Sequence, residues 1–154
     1  MFSKLWNDIQ KGKLAPVYLL AGLESYFIDE TIHRIKSKLE ESGEIETITI
    51  DLDEKPVDFV IDESDTIPFF SSKKLIIAKN ASFLKATDKT KEKIDHDLKR
   101  LAKWLEFPSD TSITIFIAPY EKLDERKKVT KQMKEHAVYM LAETPKENDL
   151  SVWV

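Results

Sequence analysis

Cysteine is missing from all 154 residues. That absence excludes a disulfide framework and any thiolate metal site, and it is compatible with a reducing cytoplasm. No apolar stretch reaches the ~20 residues that a membrane helix needs. The N-terminal MFSKLWNDIQKGKLAP is amphipathic and broken by charges where a signal peptide would carry an apolar core. A cytoplasmic location with no membrane partner is the expectation. Positive charge is not in excess either. The 24 Lys and Arg are outnumbered by 28 Asp and Glu, leaving −4, which speaks against a surface that grips nucleic acid everywhere and leaves room for a local basic stripe. What is present is ordinary for a globular chain: 42% hydrophobic and 34% charged residues. One domain of this length buries roughly 68–70% of the surface its unfolded chain exposes and needs no covalent staple.

Strand and helix patterns alternate along the chain. PVYLLA (Pro16–Ala21) is a short apolar run, followed by SYFIDETIHRIKSKLEES, in which Phe27, Ile28, Thr31, Ile32, Ile35 and Leu39 recur at helical spacing until Gly43. ETITID (Glu46–Asp51) alternates at period two and reads as a second strand. Pro56 then stands at a first helical position. KLIIAK (Lys74–Lys79) is a third strand, and DKTKEKIDHDLKRLAKWLEF a long helix capped at Thr87 or Asp88, with Ile94, Leu98, Leu101, Trp104 and Leu105 on one face. SITIFIA has the continuous apolar character of a strand buried on both sides. DERKKVTKQMKEH is a helix and AVYML a fifth strand. Strands alternating with helices imply right-handed crossovers, so the expected fold is α/β with a mainly parallel five-stranded sheet flanked by helices. Pro145 and the residues after it open another helix that stops at Val154, which suggests a domain cut from a longer chain.

Such a sheet invites a search for a phosphate-binding loop after the first strand. That loop needs glycines for close backbone approach, a Lys for the terminal phosphates and a Ser or Thr for magnesium. In LLAGLESYFIDETI, Gly22 is the single glycine, no Gly-Lys-Ser/Thr follows, and Glu24, Asp29 and Glu30 repel a triphosphate. A nucleotide site also wants acids at the end of an apolar strand, where Lys79 and Asn80 stand instead. His33, His96 and His136 each lack a second ligand three or four residues away, so a solvent-facing histidine is expected at each. The acids of DESD (Asp62–Asp65) and DHD (Asp95–Asp97) read as solvated helix faces, and no Gly-x-Ser-x-Gly elbow occurs. No catalytic residue, cofactor or metal is expected. Lys122, Arg126, Lys127, Lys128, Lys131 and Lys134 form a basic stretch, Lys122–Lys134, that is either a solvated face or a contact for nucleic acid or an acidic partner.

Phe69 and Phe70 follow Pro68 and precede Ser71-Ser72-Lys73-Lys74. Two readings stand. Aromatics are usually core, so the pair can be the tail of the preceding helix tucked under the sheet. Yet adjacent residues of a helix or strand cannot both face one core, and the flanks are surface-like. A short helix displaying both rings would have the makeup of an interface hot spot, an aromatic anchor with a polar rim.

PVYLLAGLESYFIDETIHRIK, IPFFSSKKLIIAKNASFL, TSITIFIAPYEKLDERKK and PKENDLSVW together cover most of the chain. In this order they resemble the N-terminal domain of the delta subunit of the bacterial DNA polymerase III clamp loader. The resemblance implies an AAA+/P-loop-like fold with degenerate nucleotide motifs, spanning residues 1–143, with residues 144–154 the truncated start of a lid domain. It implies that Phe69 and Phe70 are the wedge that enters a pocket of the sliding clamp (the beta subunit) and favours its open ring, with Pro68, Ser71, Ser72, Lys73 and Lys74 as rim. Delta subunits of this family meet the gamma/tau and delta-prime subunits through further domains, leave ATP to those other subunits, and touch DNA weakly or indirectly. The implied role is a non-catalytic one in DNA replication. The alternatives are a degenerate P-loop phosphotransferase or ATPase and a nucleic-acid-binding scaffold using the basic stretch.

Overall fold

A computed structural model describes residues 2–68, 73–85 and 94–142. In chain order these form α1 (Phe2–Gln10), β1 (Val17–Gly22), α2 (Ser25–Glu40), β2 (Ile45–Asp51), α3 (Asp58–Asp65), β3 (Lys73–Lys79), a 3-10 turn (Ser82–Leu84), α4 (Leu98–Glu106), β4 (Ser112–Ala118), α5 (Lys128–His136) and β5 (Val138–Ala142). The five strands make one sheet in the order β2-β3-β4-β1-β5. Every pairing is parallel.

The apolar runs of the sequence are explained by burial of both sheet faces. Side chains alternate across a strand, so Val17, Leu19 and Ala21 of β1 enter one core while Tyr18 and Leu20 enter the other. The first core also takes Ile76 and Ala78 of β3 and Phe116 of β4, and is covered by Val60 and Ile61 of α3, Leu101 and Trp104 of α4, and Val129 and Met133 of α5. The second is covered by Leu5 and Ile9 of α1 and by Phe27, Ile28, Ile35 and Leu39 of α2. The helical spacing read in α2 therefore marks its buried stripe. Trp6 of α1 ties the two helices together by donating from Nε1 to Thr31 Oγ1 at 2.7 Å, and the Arg34 guanidinium lies 4.1 Å from the centre of its ring.

The long helix expected from Asp88 is shorter at its described end. Its cap residues Thr87 and Asp88 lie outside the described residues, and Ile94–Asp97 are not helical. Helix α4 begins at Leu98, where the Asp97 carboxylate caps it by accepting from Arg100 N–H at 3.0 Å. The reason is His96, which is buried rather than solvent-facing. Its Nδ1 accepts the Val57 N–H at 2.9 Å, and its ring packs 5.1 Å from that of Phe83. A helix running through this segment would have to give up that tertiary anchor. His33 and His136 are exposed, as expected. Pro56 stands two residues ahead of α3. Its carbonyl accepts from Phe59 N–H at 3.0 Å and opens the first turn.

Candidate functional site

In an open parallel sheet the ligand crevice lies outside the carboxyl ends of the strands, where the strand order reverses. Here that place is the end of β1, between β4 and β5. Its backbone is already committed. Gly22 has φ +110, and a Cβ on it would stand 2.0 Å from the Ala142 carbonyl oxygen. The glycine serves close packing against β5 and not the approach of a phosphate. The Glu24 N–H, which could have faced an anion, donates to Ala142 O at 3.2 Å. Only Leu23 and Glu24 separate strand from helix, too few residues to wrap a phosphate in backbone donors. At the end of β3, Lys79 is exposed and Asn80 has left-handed backbone, φ +60. The Asn80 amide donates to Asp51 Oδ1 at 3.0 Å and the Asp53 N–H to the same oxygen at 2.9 Å. Those two donors, helped by the charge of Lys79, hold the Asp51 carboxyl below the usual carboxylate range. Among the described residues, the Asp51 carboxylate, the Asn80 amide and the Glu24 N–H at this end all have partners within the chain.

The opposite end of the sheet is built differently. Phe69, Phe70, Ser71 and Ser72 lie outside the described residues, but both flanks are fixed. Lys74, expected on the rim, is instead 1% exposed. It shares the pleat face of Ile76 and Ala78, the face that α3 covers. Its Nζ donates to Glu63 O, Glu63 Oε1 and Thr66 O, each at 3.0 Å. Glu46 Oε1 on the neighbouring strand is 3.8 Å away. A helix ends with carbonyls that have no intrahelical partner; one lysine takes up such groups at the end of α3 and pins the chain where the Phe-Phe segment departs. Lys73, on the other pleat face and half-buried, donates from Nζ to Asp110 O at 2.7 Å. Pro68 is half-buried and Ile67 is 76% exposed.

Residues 18–143 match the family model described as DNA polymerase III, delta subunit. Over 144 residues the chain is 40% identical to the DNA polymerase III subunit delta of Bacillus subtilis, covering 92% of this chain and 41% of that one. The chain belongs to the DNA polymerase III delta subunit family. The structure is similar to that of the Bacillus subtilis DNA clamp loader delta protein, with a TM-score of 0.89 and 37% identity over 99% of this chain and 45% of the other. The chain thus spans less than half the length of these two relatives. A DNA polymerase III gamma subunit-related protein of Thermotoga maritima aligns at a TM-score of 0.55 and 15% identity over 97% of this chain and 48% of that one, a likeness of fold alone.

Within this delta-family fold the basic stretch is less continuous than its spacing suggests. Lys122, Arg126 and Lys127 precede α5, which begins at Lys128. Lys127 Nζ donates to Phe83 O at 3.1 Å, Arg126 pairs with Asp124 at 3.3 Å, and Lys134 contacts both carboxylate oxygens of Glu125 at 2.8 and 2.7 Å. Lys122, Lys128 and Lys131 are exposed. Among the described residues no group of three metal-ligating side chains converges, and no helix is long and apolar enough to cross a membrane. Two exposed apolar residues at the amino end of the sheet, Ile67 and Phe107, were not singled out from the sequence. Phe107 was absorbed into a helix that in fact ends at Glu106, and it is 87% exposed. The Pro108 that follows it was the available signal, because a proline disfavours helix in the residue before it.

Proposed function

We propose that this chain is the clamp-binding part of a delta subunit. Phe69 and Phe70 enter an apolar pocket of the sliding clamp and thereby favour an opened ring. In this reading residues 1–143 are the binding unit and residues 144–154 begin the next domain, which carries the contacts to the other loader subunits. The observation that carries the proposal is the anchoring of the wedge's flanks. A buried Lys74 fixes the end of α3 through three hydrogen bonds, and the chain then departs with Ile67 facing water. At the carboxyl end the Asp51, Asn80 and Glu24 N–H groups are engaged within the chain, which favours work done by binding over work done by catalysis. The ring opens only by as much as the domain prefers the open form to the closed one.

The test is a titration of the chain against its cognate sliding clamp, wild type beside Phe69→Ala/Phe70→Ala, with circular dichroism on both. Truncating an aromatic hot spot costs ~2–4 kcal/mol, roughly 30- to 1000-fold in affinity. A folded double variant that loses at least about tenfold supports the wedge. An unfolded one assigns the two rings to the core, and a folded one that binds like wild type moves the contact elsewhere.

A further inference from the structure

Helix α5 begins against the usual chemistry of a helix start. The positive end of the helix dipole favours acids and a side-chain cap. Here Lys127 is the cap residue and Lys128 the first helical residue, the first turn holds no acid, and no side chain caps it. Lys128 is exposed, and so is Lys99 in the first turn of α4. Among the described residues neither lysine has an ion-pair partner. Unpaired positive charge is thus gathered where the helices themselves gain nothing from it.

The two helix starts line one groove of about 420 Å³. Its apolar walls are Phe83 of the 3-10 turn, Leu98 and Ala102 of α4, and Val129 of α5. Lys99, Lys127 and Lys128 border the same groove. Leu98 and Ala102 are half-buried, so part of this apolar surface meets water. The walls are held in place from behind. Lys127 Nζ donates to Phe83 O at 3.1 Å and Asp124 N–H to Leu84 O at 2.9 Å, which ties the approach to α5 onto the 3-10 turn. Phe83 in turn packs on His96, ahead of α4, with 5.1 Å between ring centres. A groove built in advance loses little entropy when it is filled.

Apolar walls under a basic rim fit a ligand of the opposite arrangement, an apolar side chain flanked by acids. We infer that this groove docks an acidic peptide segment of a protein partner. One or two large apolar side chains enter the groove, and Asp or Glu side chains meet Lys99, Lys128 and the uncapped start of α5. Nucleic acid fits less well. Its phosphates would satisfy the lysines, but single strands are held by stacking on exposed rings, and Phe83, the aromatic residue of the lining, is 2% exposed. A duplex backbone would leave the apolar walls uncovered. The groove uses none of the residues of the clamp-binding reading, so the two proposals stand or fall separately.

The experiment titrates the 154-residue chain into a fluorescein-labelled peptide carrying Leu-Phe between two runs of three Asp, followed by fluorescence anisotropy. The comparison probes are the same peptide with Ser-Ser for Leu-Phe, the same peptide with Asn for Asp, and a labelled single-stranded thymidine oligonucleotide. The variants are Lys99→Glu/Lys128→Glu, Ala102→Gln, and the control Lys4→Glu/Lys11→Glu, which makes the same charge change at α1, on the other face of the sheet. The acidic peptide should bind wild type and the control equally. Its affinity should fall roughly tenfold or more for Lys99→Glu/Lys128→Glu and roughly fivefold for Ala102→Gln. Both altered peptides should bind wild type more weakly by roughly fivefold or more. Thermal unfolding of Lys99→Glu/Lys128→Glu should stay level or rise, because each new acid stands in the first turn of a helix, so lost binding is not lost structure. A failure of the acidic peptide to bind overturns the proposal. Equal binding of the Ser-Ser peptide, which reduces the contact to charge alone, or an equal loss in the control overturns it as well. Tighter binding of the oligonucleotide, lost in the same lysine variant, overturns it in favour of nucleic acid.

Discussion

Replacing Lys74 with methionine keeps the apolar stem that lies under α3 and removes only the charged tip. Three hydrogen bonds of 3.0 Å go with it, two to the carbonyls of Glu63 and Thr66 and one to the Glu63 carboxylate. Bonds to a charged group contribute ~1.5–3 kcal/mol each in isolation, and removing one partner of a buried ion pair costs ~3–5 kcal/mol. Both figures must be reduced here. The acids that face Lys74, Glu46 and Glu63, are 44% and 37% exposed, so water takes over much of their solvation. Removing the tip also removes the cost of burying an ammonium. A net loss of about 2–3 kcal/mol remains, equivalent to a fall of roughly 5–10 °C in Tm for a domain of this size. Thermal unfolding followed by circular dichroism measures it. Hydrogen exchange should show that amides at the end of α3 lose more protection than those of β1. The fold persists, and in the proposed reading clamp affinity falls because the wedge has lost its fixed origin. A variant that melts within a degree of wild type and keeps its exchange pattern would show that Lys74 is a tolerated burial and not an anchor.

Gly22→Ala should lower stability by about 3 kcal/mol or more, because overpacking costs ~1–3 kcal/mol and a strained backbone ~1–3; the new Cβ would stand 2.0 Å from a carbonyl oxygen. Denaturant unfolding measures this, and a silent substitution would mean that β5 moves freely away from β1. Thr114 Oγ1 is buried with no hydrogen-bond partner among the described residues, so Thr114→Val should leave stability unchanged or raise it by up to about 1 kcal/mol in the same assay. A loss beyond about 1 kcal/mol would reveal a partner for that hydroxyl. Asp51 has its folded pKa depressed first by the Asn80 amide and then by the Asp53 N–H. Its contribution to stability is therefore present above the ordinary carboxylate pKa of ~3.9 and fades as pH falls through the lower folded value. A carboxyl titration by NMR should place Asp51 below free aspartate in wild type and closer to it in Asn80→Ala, and an unshifted wild-type value would refute the contact.

The three central strands were legible because both of their faces are buried, so PVYLLA, KLIIAK and SITIFIA could be recognised without any partner in view. Helix α2 was legible for a related reason: its buried stripe of Phe27, Ile28, Ile35 and Leu39 repeats at the helical period. The segment before α4 was not. Its charged residues are good helix formers, but His96 gains a buried hydrogen bond to Val57 only in non-helical backbone, and a contact 39 residues away leaves no local trace. Lys74 was misplaced for a reason open to correction from sequence. Strand alternation puts Lys73 and Lys74 on opposite faces of a sheet covered on both sides, so the pair cannot both be rim. What could not be read at all is the tie of Lys73 to the Asp110 carbonyl, since it depends on β3 and β4 being neighbours.

That neighbourhood separates the two ends of the domain. Lys74 and Asn80 belong to one chain segment, six residues apart, which at ~3.3 Å per strand residue is roughly 20 Å. At the carboxyl end the groups that would serve a nucleotide are turned inward, Gly22 onto Ala142 and Asn80 onto Asp51. At the amino end Lys73 ties the start of β3 to the loop before β4, and the described Ile67 and Phe107 are exposed. A sheet packed on both faces does not bend under modest loads, because close-packed cores are stiff and transmit displacement. In the proposed reading, then, docking at the amino end would not be relayed as a change of shape within this domain. It would be felt by the rest of a loader as a rigid-body rotation of the whole sheet. In that reading, a domain that exerts force on a ring needs that property more than it needs a nucleotide of its own, and the backbone around Gly22 is committed to close packing against β5.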